Sequence, residues 1–536
     1  MKRLSILIFI AAMAAAAWAV PARKGGVVVT QPDGSEVIVY QHGDEHFHWM
    51  TNENGEWLAC DVDGKYEVVP ALSNEEIELR RASSPRNKVA EKHGASPVNI
   101  APRGLIILVN FSDLAFETSK AEMDSMLTGV NYTRDYTYTN RNKTYNIVSE
   151  GSARQYFVDA SFGEYNPRFD VVGPVTVSQK MSYYGGNNPA GGDKYAEKMI
   201  VEACKLVDDS VDFTLYDNDG NGVVDFVYVI YAGFGEADGG GANTIWPHQY
   251  DVSQYQKLLL DSVKIAKYAC SNELDYTSKE HAGIGAFCHE FSHVLGLPDL
   301  YVTDGYSSHH TSADWDIMDY GPYTNDGNTP PTYSAYERFF MGWLTPKLLV
   351  ESEIVTLHDL QTTNEALLIS ENDKHNLIGN DPDTTVFYMV ENRQQTGWDL
   401  HLPGHGMILT KVTYSKTSWR NNTVNNVSNK MGVNIIEAKL NNGSLGKATD
   451  AFPAGATSYT KIANHPIKDI VEEDGVISFN YKDAVPAGVE DIYWDDDVVA
   501  VYNVLGQIVS TKDLTVLRHG TYIVKTTRGT KKIIVR

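Results

Sequence analysis

The sequence predicts a chain of several units built around an α/β (α+β) domain, with a small β unit before it and β-rich domains after it. Three observations predict this. At 536 residues the chain is too long for one hydrophobic core, because single cores stop growing near ~250–300 residues. Between about residues 96 and 345, short fully apolar runs alternate with segments of helical spacing, the pattern of mixed layers. Beyond Pro346 the helical spacing gives way to short strands separated by Asn and Gly.

Taken in order, residues 1–19 open with Met1-Lys2-Arg3, continue with an apolar run from Leu4 and end in Ala17-Trp18-Ala19. This is the pattern of a secretory signal peptide, with cleavage expected after Ala19. No later run of 18 apolar residues suggests a membrane span, so the mature chain is expected to be exported and soluble. Residues 20–95 make the next unit. Val27-Val28-Val29-Thr30 and Val37-Ile38-Val39-Tyr40 flank the turn Pro32-Asp33-Gly34, and a charged stretch from about Glu75 to Pro102 reads as an exposed linker. A small domain followed by a cleavable linker suits a propeptide, with a plain accessory domain as the alternative.

In residues 96–345, Leu105 to Val109 and Phe226 to Tyr231 read as buried strands. Ser152 to Ala160 has helical spacing, and a further helix is expected from about Gly283. Residues 346–488 read as a β-rich domain, with strands near Thr384 to Val390, Gly406 to Val412 and Gly432 to Glu437. Residues 489–536 begin with an acidic run ending Asp495-Asp496-Asp497 and continue as β hairpins. A formal net charge of -24 argues against a nucleic-acid partner, whose phosphates demand a basic surface. The four cysteines, Cys60, Cys204, Cys270 and Cys288, are too few for a disulfide framework in an exported chain. They leave room for one bridge, Cys204–Cys270 or Cys270–Cys288.

The chemistry is concentrated in His289-Glu290-Phe291-Ser292-His293-Val294-Leu295-Gly296-Leu297-Pro298-Asp299. Residues four apart share a helix face, so His289 and His293 can hold one Zn²⁺ while Glu290 takes a proton from an activated water. Gly296 can end the helix in a left-handed turn, bringing Asp299 back as the third ligand. Downstream, Asp316-Ile317-Met318-Asp319-Tyr320 places a methionine where it can floor the site without binding metal.

Together these two segments resemble the M6 family of metallopeptidases, the immune inhibitor A-like enzymes, and through them the metzincins. Further likeness over about residues 25–345 lies in Gly151-Ser152-Ala153-Arg154-Gln155-Tyr156-Phe157, Ser161-Phe162-Gly163, Phe169 to Pro174 and Ile245-Trp246-Pro247-His248. The resemblance implies a metzincin-like fold, a secreted endopeptidase made with a propeptide, and Met318 in the Met-turn. It gives Tyr320 a transition-state role through its spacing from Met318. Asp299 stands where most metzincins have a third histidine. His248 is expected to pack rather than to touch substrate. Cys60 as a zinc-silencing thiolate, and a metal cluster of His42, His46 and His48, are weaker expectations.

A second metal is expected at Asp217-Asn218-Asp219-Gly220-Asn221-Gly222-Val223-Val224-Asp225. Asp217, Asp219, Asn221 and Asp225 supply side-chain oxygens, Val223 its carbonyl, and Asp212 a possible extra donor for Ca²⁺. The twelfth position is Tyr228 rather than glutamate, so the loop is not a full EF-hand. The C-terminal Val501-Tyr502-Asn503-Val504-Leu505-Gly506-Gln507 and Gly520 to Val524 closely resemble the type A sorting domain of the type IX secretion system. That resemblance implies the type IX machinery as a partner, and passage through the periplasm to the medium or the cell surface. The function expected is a secreted zinc endopeptidase on proteins or peptides, made as a zymogen. An inactive surface adhesin and a metal-dependent amide hydrolase of non-protein substrates are the alternatives.

Overall fold

The structure, a computed structural model, describes residues 20–83, 102–440, 446–484 and 498–535, with short omissions at 62–63, 189–191, 306, 308 and scattered positions after 504. The signal segment, most of the proline-containing linker and the acidic run ending at Asp497 lie outside the described residues.

A five-stranded sheet positions the site. Its order is His248–Asp251, Lys267–Leu274, Val227–Phe234, Arg103–Asn110 and Arg168–Thr176. The last four strands run parallel and the first is an antiparallel edge. Parallel strands covered on both faces need apolar side chains at every position, which is why the expected runs at Leu105 and Val227 are unbroken. Leu105, Ile107 and Val109 face the helix Ala196–Val207, where they meet Met199, Ile200 and Ala203. Ile106 and Leu108 face the opposite helix, Gly285–Val294, through Phe287 and Phe291. The helix expected from Ser152 runs Ala153–Ala160, with the Ser152 hydroxyl capping it by accepting the Gln155 N–H at 3.2 Å.

The disulfide expectation is corrected: all four cysteines are free, Cys204 and Cys270 included although they share one face of the sheet. Cys270 belongs to the cluster under Ala196–Val207 and Cys288 to the one on the other face, so the sheet separates them. Cys270 Sγ instead lies 3.5 Å from His248 Nδ1.

Before the central sheet, Val27–Thr30, Glu36–Asp44, Phe47–Thr51, Trp57–Cys60 and Tyr66–Val68 pair in sequence order as a five-stranded meander. The stretch read as linker from Glu75 begins instead as a helix, Asn74–Ser83. Its first turn carries Glu75 and Glu76 and its last Arg80 and Arg81, a polarity that matches the helix dipole. Arg81 is buried, gripping both oxygens of Asp44 at 2.9 and 2.8 Å and donating to the Thr303 carbonyl. Charge that suggests a solvated linker is here a clamp onto the central body.

After the central sheet, Lys347–Leu348, Leu367–Ile369, Val386–Arg393, Gly406–Thr413 and Val433–Ile435 form one sheet. Glu353–Leu357, Val476–Tyr481 and Ile467–Glu473 form a second. Phe387, Met389, Trp398 and Trp419 share one hydrophobic cluster with Phe287 and Phe291. Secondary structure changes after residue 345 while the core continues across it. The C-terminal strands Val498–Asn503, Ile508–Val509, Gly520–Thr526 and Gly529–Val535 make a small sheet closed on Val501 and Val524. Among the described residues, no helix is long and apolar enough to cross a membrane.

Candidate metal centre

Helix Gly285–Val294 carries His289, Glu290 and His293, all buried. Gly285 lets it approach the following loop closely, because a Cβ there would stand 1.9 Å from the Pro322 carbonyl oxygen. The helix ends at Gly296, whose φ of 104° is open to glycine and strained for other residues. The N–H of Gly296 donates to His293 O at 3.0 Å and that of Leu297 to Ser292 O at 3.1 Å, closing the last turn. The chain then doubles back. Asp299 Oδ1 comes to 3.2 Å from His289 Nε2 and 3.3 Å from His293 Nε2, and the two Nε2 atoms are 3.1 Å apart.

These spacings fit a zinc ion. Bonds of ~2.0–2.1 Å in a tetrahedral site place ligand atoms roughly 3.3 Å from one another. The tautomers point the same way. His289 Nδ1 donates to the Ile317 carbonyl at 2.7 Å and His293 Nδ1 to the Leu297 carbonyl at 2.8 Å, so each Nε2 carries a lone pair. Two lone pairs and a carboxylate oxygen aimed at one point repel unless a cation lies there. Burial lowers the His293 pKa and keeps the ring neutral. Neutral imidazole and ionised carboxylate are the forms that ligate.

A residue the sequence reading missed completes the support. Asn422, just past the helix Lys416–Arg420, donates from Nδ2 to Asp299 Oδ2 at 2.5 Å and accepts the Asp299 N–H on Oδ1 at 2.8 Å. Three residues on, Asn425 Nδ2 donates to the Leu300 carbonyl at 2.8 Å. The only trace in the sequence was an asparagine-rich loop, Asn421 to Asn426, which looks like solvent-facing turn chemistry. Asn422→Ala should weaken metal binding by ~10–100-fold, the usual cost of removing a hydrogen bond that orients a ligand. Competition against a chelator measures this, and unchanged affinity would confine Asn422 to holding the loop.

Met318 is fully buried in the cluster that contains Phe287 and Phe291. Its N–H donates to Asp316 Oδ1 at 2.8 Å, and its carbonyl accepts the Leu300 N–H at 2.8 Å. Tyr320, expected to approach the metal, has its ring beneath Lys24, with Nζ 3.7 Å from the ring centroid. The phenol that bonds to main chain in the cleft is Tyr323, donating to the Pro21 carbonyl at 2.6 Å. Glu290 Oε1 accepts the Val20 N–H at 2.8 Å.

The remaining candidates fall elsewhere. His248 is buried between the Trp246 carbonyl (2.6 Å) and the Tyr268 hydroxyl (2.7 Å), a packing role. Cys60 Sγ donates to the neighbouring Asp61 carbonyl. His42, His46 and His48 do not converge: they meet Thr51 (2.8 Å), Glu45 (3.0 Å) and Glu236 (3.0 Å) respectively. In the Asp217–Asp225 loop the carboxylates take the loop's own amides. Asp217 accepts from Asn221 (3.0 Å) and Gly222 (2.8 Å), Asp219 from Asn221 (3.1 Å) and Asp225 from Asn218 (2.9 Å). Among the described residues, the one group of three His, Cys, Asp or Glu ligand atoms all within 4.8 Å is His289, His293 and Asp299.

His48 ties the N-terminal meander to the central body and is stacked on Trp246 at 4.6 Å. Its Nδ1 donates to the Asp44 carbonyl at 3.1 Å. Burial alone would lower its pKa, but Glu236, with help from Asp193, raises it to about 9. A histidine pKa raised above 6.5 gives stabilisation that is complete below about 6.5 and lost as pH climbs through about 9. Hydrogen exchange in Glu36–Thr51 should therefore quicken across that window in the wild type and not in Glu236→Gln. Identical profiles for the two would remove the charge from this contact.

Residues 98–344 match the family model described as the Immune inhibitor A peptidase M6, catalytic domain. Pre-pro-metalloprotease PrtV of Vibrio cholerae is 27% identical over 256 residues, which cover 42% of this chain and 28% of that protein. Immune inhibitor A of Bacillus thuringiensis subsp. alesti is 29% identical over 214 residues, 35% of this chain and 31% of its own length. The chain thus spans under a third of the length of these curated relatives.

Proposed function

We propose that this chain is a secreted, zinc-dependent endopeptidase that hydrolyses peptide bonds of protein substrates and is made as a zymogen. One observation carries the reading: two buried imidazoles and a carboxylate converge at tetrahedral spacing, and the next residue on the helix, Glu290, meets a peptide N–H at 2.8 Å. His289, His293 and Asp299 would hold zinc, which would supply Lewis acidity toward the scissile carbonyl and lower the pKa of water. Glu290 takes the proton and returns it to the departing amine, the kind of atom its Oε1 already touches in Val20. Trp246 Nε1, 3.0 Å from the Val20 carbonyl, and the Tyr323 hydroxyl, 2.6 Å from the Pro21 carbonyl, hold main chain on the same side. We give Tyr320 the transition-state donor role once Lys24 leaves its ring.

The same reading makes residues 20–95 the propeptide, following a signal peptide, and residues 489–536 a sorting domain for type IX export. Calcium in the Asp217–Asp225 loop would act as a brace, supported by the donor spacing. The test is hydrolysis of a denatured protein by the full chain after cleavage in the linker, with metal analysis of the same sample. Zinc near one equivalent and chelator-sensitive hydrolysis are expected; hydrolysis untouched by removal of metal would refute the zinc mechanism.

A further inference from the structure

We infer that Asp275, Asp326 and Asp238 form a substrate subsite for an arginine or lysine side chain, and that residues 20–24 keep the enzyme latent by occupying it from the leaving-amine side of the cleft. This rests on the peptidase reading above and gives it a substrate class.

Val20 to Arg23 lie in the cleft as a bound peptide would. The Val20 nitrogen meets Glu290, the Val20 and Pro21 carbonyls meet Trp246 and Tyr323, and the Arg23 N–H donates to the Ala237 carbonyl at 2.9 Å. Val20 is only 1% exposed. The departing amine of a substrate belongs beside Glu290, so the chain from Val20 to Arg23 traces the product half of a cleaved peptide. Arg23 is then its fourth residue.

The guanidinium of Arg23 forks between Asp275 and Asp326, with Asp238 close by. The two paired acids are held in place by other donors. Asp275 Oδ1 accepts the amides of Thr277 (2.9 Å) and Ser278 (2.7 Å), leaving Oδ2 to the arginine. Asp326 is steadied by the hydroxyls of Tyr136 (3.0 Å) and Tyr138 (3.2 Å), and Asp238 by Asn272 Nδ2 (3.1 Å). Two carboxylates grip one guanidinium, and burial together with the charge of Asp275 raises the Asp238 carboxyl beside them, so a cation there is what lets it ionise. When Arg23 leaves, their repulsion and burial favour another cation in its place. Arginine suits the pocket best, because its planar fork can bridge two carboxylates. A cleft of about 650 Å³ lies against the same acids, lined by Asp238, Asp326, Tyr138 and Tyr145 as well as by Arg23 and Gly26.

The test uses the full chain carrying Arg23→Ala and a fluorescent peptide Val-Pro-Ala-Arg-Lys. This peptide should bind at least ten-fold more tightly than its Arg-to-Ala counterpart, and Asp275→Asn with Asp326→Asn should erase the difference. Quenched substrates with arginine at that position should be cleaved at least ten-fold faster than those with alanine. Arg23→Lys should stay latent, which controls for misfolding of the alanine variant. Equal binding of the two peptides would overturn the subsite. Discriminating binding without hydrolysis of any substrate, even after linker cleavage, would keep the pocket and overturn the peptidase reading instead.

Discussion

Glu290→Gln keeps its zinc and loses hydrolysis, with kcat/KM falling by about 10²–10⁴-fold, the range for a lost general acid–base group. The argument is one of shape and protons. Glutamine has nearly the same outline and retains a carbonyl oxygen to accept the Val20 N–H that Oε1 now accepts at 2.8 Å. Glu290 is fully buried, and the three converging donor atoms come from His289, His293 and Asp299, so the exchange leaves the metal's ligands alone. An amide cannot take a proton near neutral pH, which removes the relay between water and leaving amine. The measurement pairs metal stoichiometry with kcat/KM on a quenched peptide, for wild type and variant matured alike. Loss of zinc together with activity would make Glu290 structural, and near-normal activity would dismiss it as the base.

The metal helix was legible because everything that defines it is local. Histidines four apart must share a face, and a glycine three residues later can take the positive φ that turns the chain back. The two central strands were equally legible, since a strand covered on both faces carries an unbroken apolar run. What stayed hidden depends on which distant loops meet. Asn422 reaches Asp299 across 123 residues and Arg23 reaches Asp326 across 303; no periodicity encodes either. Arg81 illustrates the same limit from the other side, its charge suggesting solvent until Asp44 and Thr303 enclose it. Cys270 and Cys288 misled because proximity in sequence says nothing about which side of the sheet a residue packs on. Tyr320 and Tyr323 lie three residues apart, and only the packing of Lys24 and Pro21 against them distinguishes their surroundings.

Asp299→Asn should cost more metal affinity than the ~10–100-fold expected for losing a supporting hydrogen bond, and it should do so without loosening the loop. The backbone N–H of residue 299 still donates to Asn422 Oδ1, now at 2.8 Å, so the turn after Gly296 stays pinned. At the site itself the balance of donors reverses. Asp299 presents an acceptor to two imidazole lone pairs at 3.2 and 3.3 Å, an arrangement that needs a cation at its centre. An asparagine can turn its oxygen to Asn422 Nδ2 and its NH₂ toward the histidines, meeting those lone pairs with N–H groups. The metal-free state thereby gains hydrogen bonds while the metal loses an anionic ligand. Wild type should consequently be stabilised by zinc, by ~4 kcal/mol when free metal is 1,000 times Kd, and so melt higher with it than without. The variant's melting curve should ignore zinc and match or exceed the metal-free wild type. A zinc-dependent rise that survives in Asp299→Asn would show that the two histidines hold the ion without this carboxylate.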